Sequence, residues 1–212
     1  MRKDAKRVNS RLEGVCSSRN NQELTEQYNQ WSKDYDADAD NDLGYRGPQS
    51  LIGYVVEYVP KDARILDAGA GTGQMGQFLL KAGYQNLVAM DLSNGMLEIA
   101  RKKNIYRELH QMVLGESLDF ATDSFDAVVS CAVFSVGHAP ASGFDELVRI
   151  TKPGGYLAIS INLTVYEDDG FRAKQEALTS AGKWKFIKES GKYQICTEEP
   201  DVWYQIWVHQ II

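Results

Sequence analysis

Apolar positions fall at helical spacing near the start of the chain, and after residue 63 they gather into short runs set between helical stretches. Leu24, Tyr28 and Trp31 share one face of a predicted helix over 21–32. Residues 36–47 are acidic and then glycine-containing, and read as a loop. A second helix is expected after Pro48, whose fixed φ suits a first helical turn, with Leu51, Ile52, Val55 and Val56 as its apolar stripe. A strand at 63–68 follows, then a glycine-rich turn and a helix over 72–82. The next strand, 86–90, is closed by Asp91. Ser93 caps a helix through Lys103, with Met96, Leu97 and Ala100 facing inward and Arg101, Lys102 and Lys103 at the end where the dipole favours cations. Strands at 109–113 and 125–133, a helix at 144–150, a turn at 152–155 and a strand at 156–162 continue the alternation.

Alternation of this kind implies a parallel sheet with helices on both faces. The ending departs from it. After a helix at 171–181, two strand-like runs, 184–196 and 202–211, are joined only by the Glu198-Glu199-Pro200-Asp201 turn. Parallel neighbours need a crossover of about a dozen residues, so this pair should be an antiparallel hairpin on the sheet edge. The expected fold is α/β and Rossmann-like: a seven-stranded, mostly parallel sheet ending in an antiparallel hairpin, with a helical N-terminal lid over about 21–60.

At 212 residues, 43% hydrophobic and 25% charged, the chain fits one domain, taken as 21–212. No apolar run approaches the roughly 18 residues of a membrane span, and no signal-peptide pattern opens the chain. Cys16, Cys131 and Cys196 are far apart and lack metal-ligand spacing, so free thiols in the cytoplasm and no metal are expected. The net charge of −6 argues against a nucleic-acid partner. Charge is uneven: Arg2, Lys3, Lys6, Arg7, Arg11 and Arg19 crowd the first 20 residues, read as a flexible basic arm, whereas Asp34, Asp36, Asp38, Asp40 and Asp42 follow.

Candidate chemistry begins at Ile65-Leu66-Asp67-Ala68-Gly69-Ala70-Gly71-Thr72-Gly73. Its glycines let backbone approach a ligand, and the helix start offers free N–H groups. Gly71-Thr72-Gly73-Gln74-Met75-Gly76 also satisfies G-x-G-x-x-G, so a dinucleotide is the alternative. Asp67, two residues before the first glycine, would oppose a pyrophosphate but suits an ammonium or sulfonium group, and Gly69, Gly71 and Gly73 complete D-x-G-x-G-x-G. Asp91 lies 18 residues beyond Gly73, where a carboxylate accepts ribose hydroxyls; either cofactor uses that device. Met96 would lie over the adenine or simply fill the helix core.

The segments ILDAGAGTGQ, MDLSNGMLEIA, SFDAVVS and ITKPGGYLAIS, in this order, resemble class I S-adenosylmethionine-dependent methyltransferases, for which an antiparallel ending of the sheet is the architectural signature. YNQWSKDYD resembles the opening that precedes that domain, and YRELH, LGESL and LVRITKPGG are similar to the Williams–Beuren-region methyltransferase-like family. The resemblance covers about 26–162 and implies S-adenosylmethionine as cofactor and S-adenosylhomocysteine as product. It places Tyr28, Trp31 and Tyr35 in a lid over the methionine end, where ring faces suit a sulfonium. It assigns Ala70 and Leu92 to the cofactor beside the glycines, and Glu116 and Ser117 to the adenine, in a loop shorter than usual and with Glu in place of Asp. Ser130 to His138 should border the transferred methyl, with Cys131 as a small packing residue.

That stretch holds no [D/N]-P-P-[Y/F/W] and no carboxylate for a catechol-type magnesium site. His138 is the candidate base for a hydroxyl or amine acceptor, and a carboxylate acceptor would need none. The acceptor is expected to be a small molecule held by the 28–46 region, residues 134–140 and the 163–171 loop. A cofactor-binding protein without catalysis and a nicotinamide oxidoreductase are the rival classes; nothing in the sequence sets the oligomeric state.

Overall fold

Ile65–Ala68 (β1) is buried at every position, as a strand covered by helices on both faces must be. A computed structural model describes residues 5–199 and 201–212; Arg2 and Lys3 of the basic arm and Pro200 of the last turn lie outside the described residues. Beside β1 run Leu87–Asp91 (β2) and Phe125–Phe134 (β4), with Glu108–Gln111 (β3) beyond β2 and Thr151–Asn162 (β5) beyond β4, all parallel. Trp203–Ile211 (β8) then pairs antiparallel with β5 on one side and with Trp184–Glu189 (β6) on the other, giving the order β3-β2-β1-β4-β5-β8-β6. The expected antiparallel ending is present, with β8 inside the sheet and β6 at its edge. Strand β8 also carries an eighth, two-residue strand, Tyr193–Gln194 (β7).

Helices Ala5–Cys16 (α1), Asn21–Trp31 (α2), Tyr35–Asp38 (α3) and Gly47–Tyr58 (α4) precede the sheet. Gln74–Lys81 (α5), Asn94–Lys102 (α6), Gly143–Ile150 (α7), Leu163–Asp168 (α8) and Phe171–Ser180 (α9) alternate with its strands. Ser93 caps α6 as expected, its hydroxyl accepting from the Met96 N–H at 3.1 Å. Helix α4 begins with Pro48 in its first turn. Two apolar clusters, around Phe134–Phe144–Phe171–Trp184 and around Leu51–Val55–Leu79–Leu87, fill the two faces of the sheet.

Four expectations need correction. The arm is not loose over 5–16: it forms α1, and Val8 and Val15 are buried against the lid. The acidic loop is α3 continued by a π-helical turn at Ala39–Leu43. Residues 152–155 form a bulge within β5, where Phe125 pairs with Thr151 and Ala127 already pairs with Tyr156. The run 184–196 breaks after Glu189, and 195–198 leaves the sheet to pair with the lid, through Arg46 N–H to Ile195 O (2.8 Å) and Thr197 N–H to Gly44 O (3.2 Å).

Candidate functional site

The carboxyl ends of β1, β2 and β4 open onto one cavity, at the point where chain direction across the sheet switches sides. Between β1 and α5 the backbone turns through Gly69, Gly71 and Gly73, all at positive φ. At Gly69 the close approach is to Val133, whose Cγ2 would stand 2.2 Å from an added Cβ, so a side chain there would fill the floor of the cavity. Gly76 is glycine for a different reason: a Cβ would lie 2.2 Å from the Tyr106 hydroxyl. That hydroxyl donates to Asp67 Oδ2 at 2.5 Å, while Asp67 Oδ1, also buried, has no partner. Burial pushes the Asp67 carboxyl up to about 7 despite the hydrogen bond from Tyr106. Asp91 ends β2 on the cavity wall, accepting from Gly71 N–H at 2.8 Å and Ser93 N–H at 2.9 Å; burial pushes it up to about 6.

The lid is fastened to this rim by polar side chains. Asn29 of α2 accepts from Ser93 Oγ (2.7 Å) and Gly95 N–H (2.8 Å) at the start of α6. Asp36 of α3 accepts from Thr72 Oγ1 (2.6 Å) and pairs with Lys103 (2.6 Å). Tyr28 and Tyr35 thereby line the cavity opposite the glycine turn, with Tyr45 beside them. His138 also lines it, its Nδ1 2.6 Å from the Val136 carbonyl and its Nε2 2.7 Å from the Tyr28 hydroxyl. A carbonyl only accepts, so Nδ1 carries the proton and Nε2 accepts from Tyr28. Burial holds His138 below the usual histidine range, more than the bond to Val136 raises it. Ala132, at the end of β4, holds a φ of 65° on the wall, its N–H fixed by Ser160 Oγ at 2.8 Å.

Residues 66–159 match the methyltransferase domain family. Human methyltransferase-like protein 27 is 34% identical over 167 residues, 74% of this chain and 66% of that protein. Residues 66–159 thus belong to the methyltransferase domain family, and the fold around them is shared with solved S-adenosylmethionine-dependent methyltransferases. The demethylmenaquinone methyltransferase of Clavibacter sepedonicus is 41% identical over 99 residues, 45% of this chain and 40% of that one. The chain thus spans 66% and 40% of the length of these two relatives. Among solved structures, the [4+2]-cyclase SpnF shares the fold with a TM-score of 0.69 at 16% identity, covering 92% of this chain and 97% of that one. A TehB-like methyltransferase from Corynebacterium glutamicum does so with 0.61 at 18% identity, covering 88% and 99%.

The cavity suits the cofactor of that family. Gly69 leaves its floor open, Asp91 has lone pairs beyond the two backbone bonds, and a buried Asp67 oxygen without a partner lies beneath the turn. Of the residues singled out from sequence, Tyr28, Tyr35, Gly69, Ala70, Gly71, Asp91, Leu92, Met96, Cys131 and His138 line this cavity. Five stand elsewhere. Asp67 lies beneath the turn, and Gly73 caps α5. Trp31 is buried, its indole N–H on Asp38 Oδ2 at 2.8 Å. Glu116 and Ser117 are exposed, Glu116 meeting Asn21 at 3.3 Å. A recess beside Asp91 is lined instead by Met112, Val113 and Leu114. Cys131 is buried with its Sγ 3.3 Å from the Tyr45 hydroxyl, and burial pushes the thiol up to about 12, which suits packing rather than nucleophilic attack.

A second cavity of about 310 Å³ adjoins the first; the 28–46 region and residues 134–140 contribute to its wall, whereas sequence reasoning missed the share of α1 and of the C-terminal segment. Leu12, Val15 and Cys16 of α1 line it, as do Cys196, Val202 and Tyr204 from the C-terminal segment. Val8, Leu12 and Val15 do fall at helical spacing, the signal that a reading of 1–20 as an arm passed over.

Proposed function

We propose that this chain transfers a methyl group from S-adenosylmethionine to an oxygen or nitrogen of a small molecule held in the second cavity, with His138 as proton acceptor. The observation that carries this reading is the junction: the two cavities share Tyr28, Tyr35, Tyr45, Ala132 and His138. When bound, S-adenosylmethionine supplies an electrophilic methyl on a sulfonium. The protein's own share is mostly positioning, which supplies the larger part of the acceleration in such displacements. Asp91 and the glycine turn hold the adenosine half, and Tyr28 and Tyr35 close over the other half. Neutral His138 presents the lone pair of Nε2 once the Tyr28 hydroxyl yields its place to the acceptor. Three free thiols fit a reducing compartment, and we place the activity in the cytoplasm.

Fold alone does not fix the reaction, since a [4+2]-cyclase shares it. The test is formation of S-adenosylhomocysteine from S-adenosylmethionine in pooled small-molecule extracts. Acceptor-dependent turnover, lost in His138→Ala, supports the reading. Binding without turnover across the pools favours the rival class, a cofactor-binding protein.

A further inference from the structure

Relatives in the family are named for acceptors of different chemistry, a quinone precursor and a malonyl-[acyl-carrier protein] among them. The walls of the second cavity here discriminate between such classes. On the α1 side Leu12 and Val15 face it, and Leu43 and Val202 continue the apolar surface. No lysine or arginine is among the described residues that line it, and Glu199 is its one acidic side chain. Arg7 and Arg11 of α1 are held on Asp34 and Asp38. Burial pushes the Cys196 thiol and the Tyr204 phenol up to about 12, so both are neutral groups. A carboxylate or phosphate entering this space would lose its water and meet no cation.

The polar groups of the wall are not equivalent. Ser135 Oγ accepts from the Tyr204 hydroxyl at 2.9 Å and from Asn162 Nδ2 at 3.2 Å, and Asn162 Oδ1 accepts from Thr164 N–H at 2.8 Å, so the acceptor places of this group are taken within the protein and the Ser135 O–H is left to donate. The Tyr28–His138 pair differs, because Nε2 needs only one donor and an incoming hydroxyl replaces Tyr28 in that role. The wall therefore offers the exchangeable hydrogen bond of that pair at the junction with the first cavity, where Tyr35 also stands, and an apolar surface on the α1 side. Helix α1 also abuts the loop that carries His138: a Cβ on Gly137 would lie 2.7 Å from the Cys16 carbonyl oxygen.

We infer that the second cavity receives a largely apolar molecule without an anionic group, whose hydroxyl meets the Tyr28–His138 pair, and that α1 is the wall that selects it. This rests on the methyltransferase reading above. Its volume of about 310 Å³ is at the lower end of the roughly 300–1,000 Å³ of small-ligand sites, which suits one ring with a short chain.

Calorimetric titration of the full chain tests this with 4-butylphenol, 4-butylbenzoate and butylbenzene, each with and without S-adenosylhomocysteine. The phenol should bind at one site, roughly five- to tenfold more tightly than butylbenzene, the worth of one net hydrogen bond. The benzoate should bind at least about tenfold more weakly than the phenol. Leu12→Trp, which fills the cavity from α1, should abolish phenol binding and leave S-adenosylhomocysteine affinity unchanged, which also shows that the variant is folded. His138→Ala should erase the phenol's advantage over butylbenzene. Benzoate binding as tight as the phenol's, or phenol binding that survives Leu12→Trp, overturns the inference. S-adenosylhomocysteine binding with no phenol binding overturns it and leaves the methyltransferase reading standing, whereas failure to bind S-adenosylhomocysteine overturns that reading and this inference with it.

Discussion

Both oxygens of Asp91 are engaged by backbone N–H groups, at Gly71 and at Ser93, so the carboxylate shapes the glycine turn as well as facing the cavity. Asp91→Ala should therefore weaken S-adenosylhomocysteine binding by about 1.5–3 kcal/mol, the worth of a charge-assisted hydrogen bond. Titration calorimetry on the folded variant checks this, and an unchanged affinity would leave Asp91 a structural residue. Burial raises both Asp67, to about 7, and Asp91, to about 6, above the unfolded value of roughly 3.9. The native state then binds more protons than the unfolded chain between about pH 4 and 7, so this contribution to stability is lost as pH rises through that window. Melting temperatures of the cofactor-free protein should fall from pH 5 to 8, and Asp67→Asn should flatten the decline. At His138 the direction reverses: its pKa is lowered and the neutral form is the base, so turnover should fall only on the acid side of the usual histidine range. His138→Ala should cost about 10²–10⁴-fold in rate and remove that acid limb, measured as initial rate against pH with a hydroxyl or amine acceptor. Asp91, Met96 and the glycines were legible from sequence because strand, turn and helix fix their places relative to one another. Trp31 and Glu116 were not, since which face of a lid helix turns inward, and how a short loop lies, depend on partners distant in the chain.

Among the elements, α1 and α3 show how two separate charge runs become one contact. Arg7 and Arg11 are four residues apart on α1, as Asp34 and Asp38 are at α3, and the pairs meet at 2.7 Å across Arg7–Asp38, Arg11–Asp34 and Arg11–Asp38. Asp38 is 1% exposed and also accepts the Trp31 indole N–H. Burial would raise its pKa, but hydrogen bonds from Trp31, Arg11 and Arg7 hold the carboxyl below the usual range. Asp38→Ala would leave that indole N–H unpaired, whereas the two guanidiniums, 39% and 25% exposed, regain water. A loss of about 1–3 kcal/mol is expected, below the full penalty for breaking a buried pair. Hydrogen exchange should show α1 opening first, with S-adenosylhomocysteine affinity little changed; uniform destabilisation would contradict a fastening role. Composition had shown a basic arm and an acidic loop, and reading the arm as flexible left their matching four-residue spacing, the one signal of a contact, unused. The departure at 195–198 was less legible still, because its strand-like pattern serves pairing with the lid at 43–46 rather than with the sheet.

For the whole molecule, the antiparallel β8 between β5 and β6 separates this sheet from an all-parallel dinucleotide fold. That was legible because two strand-like runs without a helix between them cannot be parallel neighbours. The second cavity was legible only in part, at 28–46 and 134–140, since α1 and the C-terminal segment join the lid in building it and no single stretch of sequence carries its pattern. The central claim is that the cavity under the glycine turn is made for S-adenosylmethionine, and thermal unfolding with added cofactor tests it most directly. S-adenosylmethionine and S-adenosylhomocysteine at about a hundred times their dissociation constants should each stabilise the protein by roughly 2.7 kcal/mol, while NAD and NADP leave it unchanged. Equal stabilisation by NAD, or none by S-adenosylhomocysteine, would contradict it.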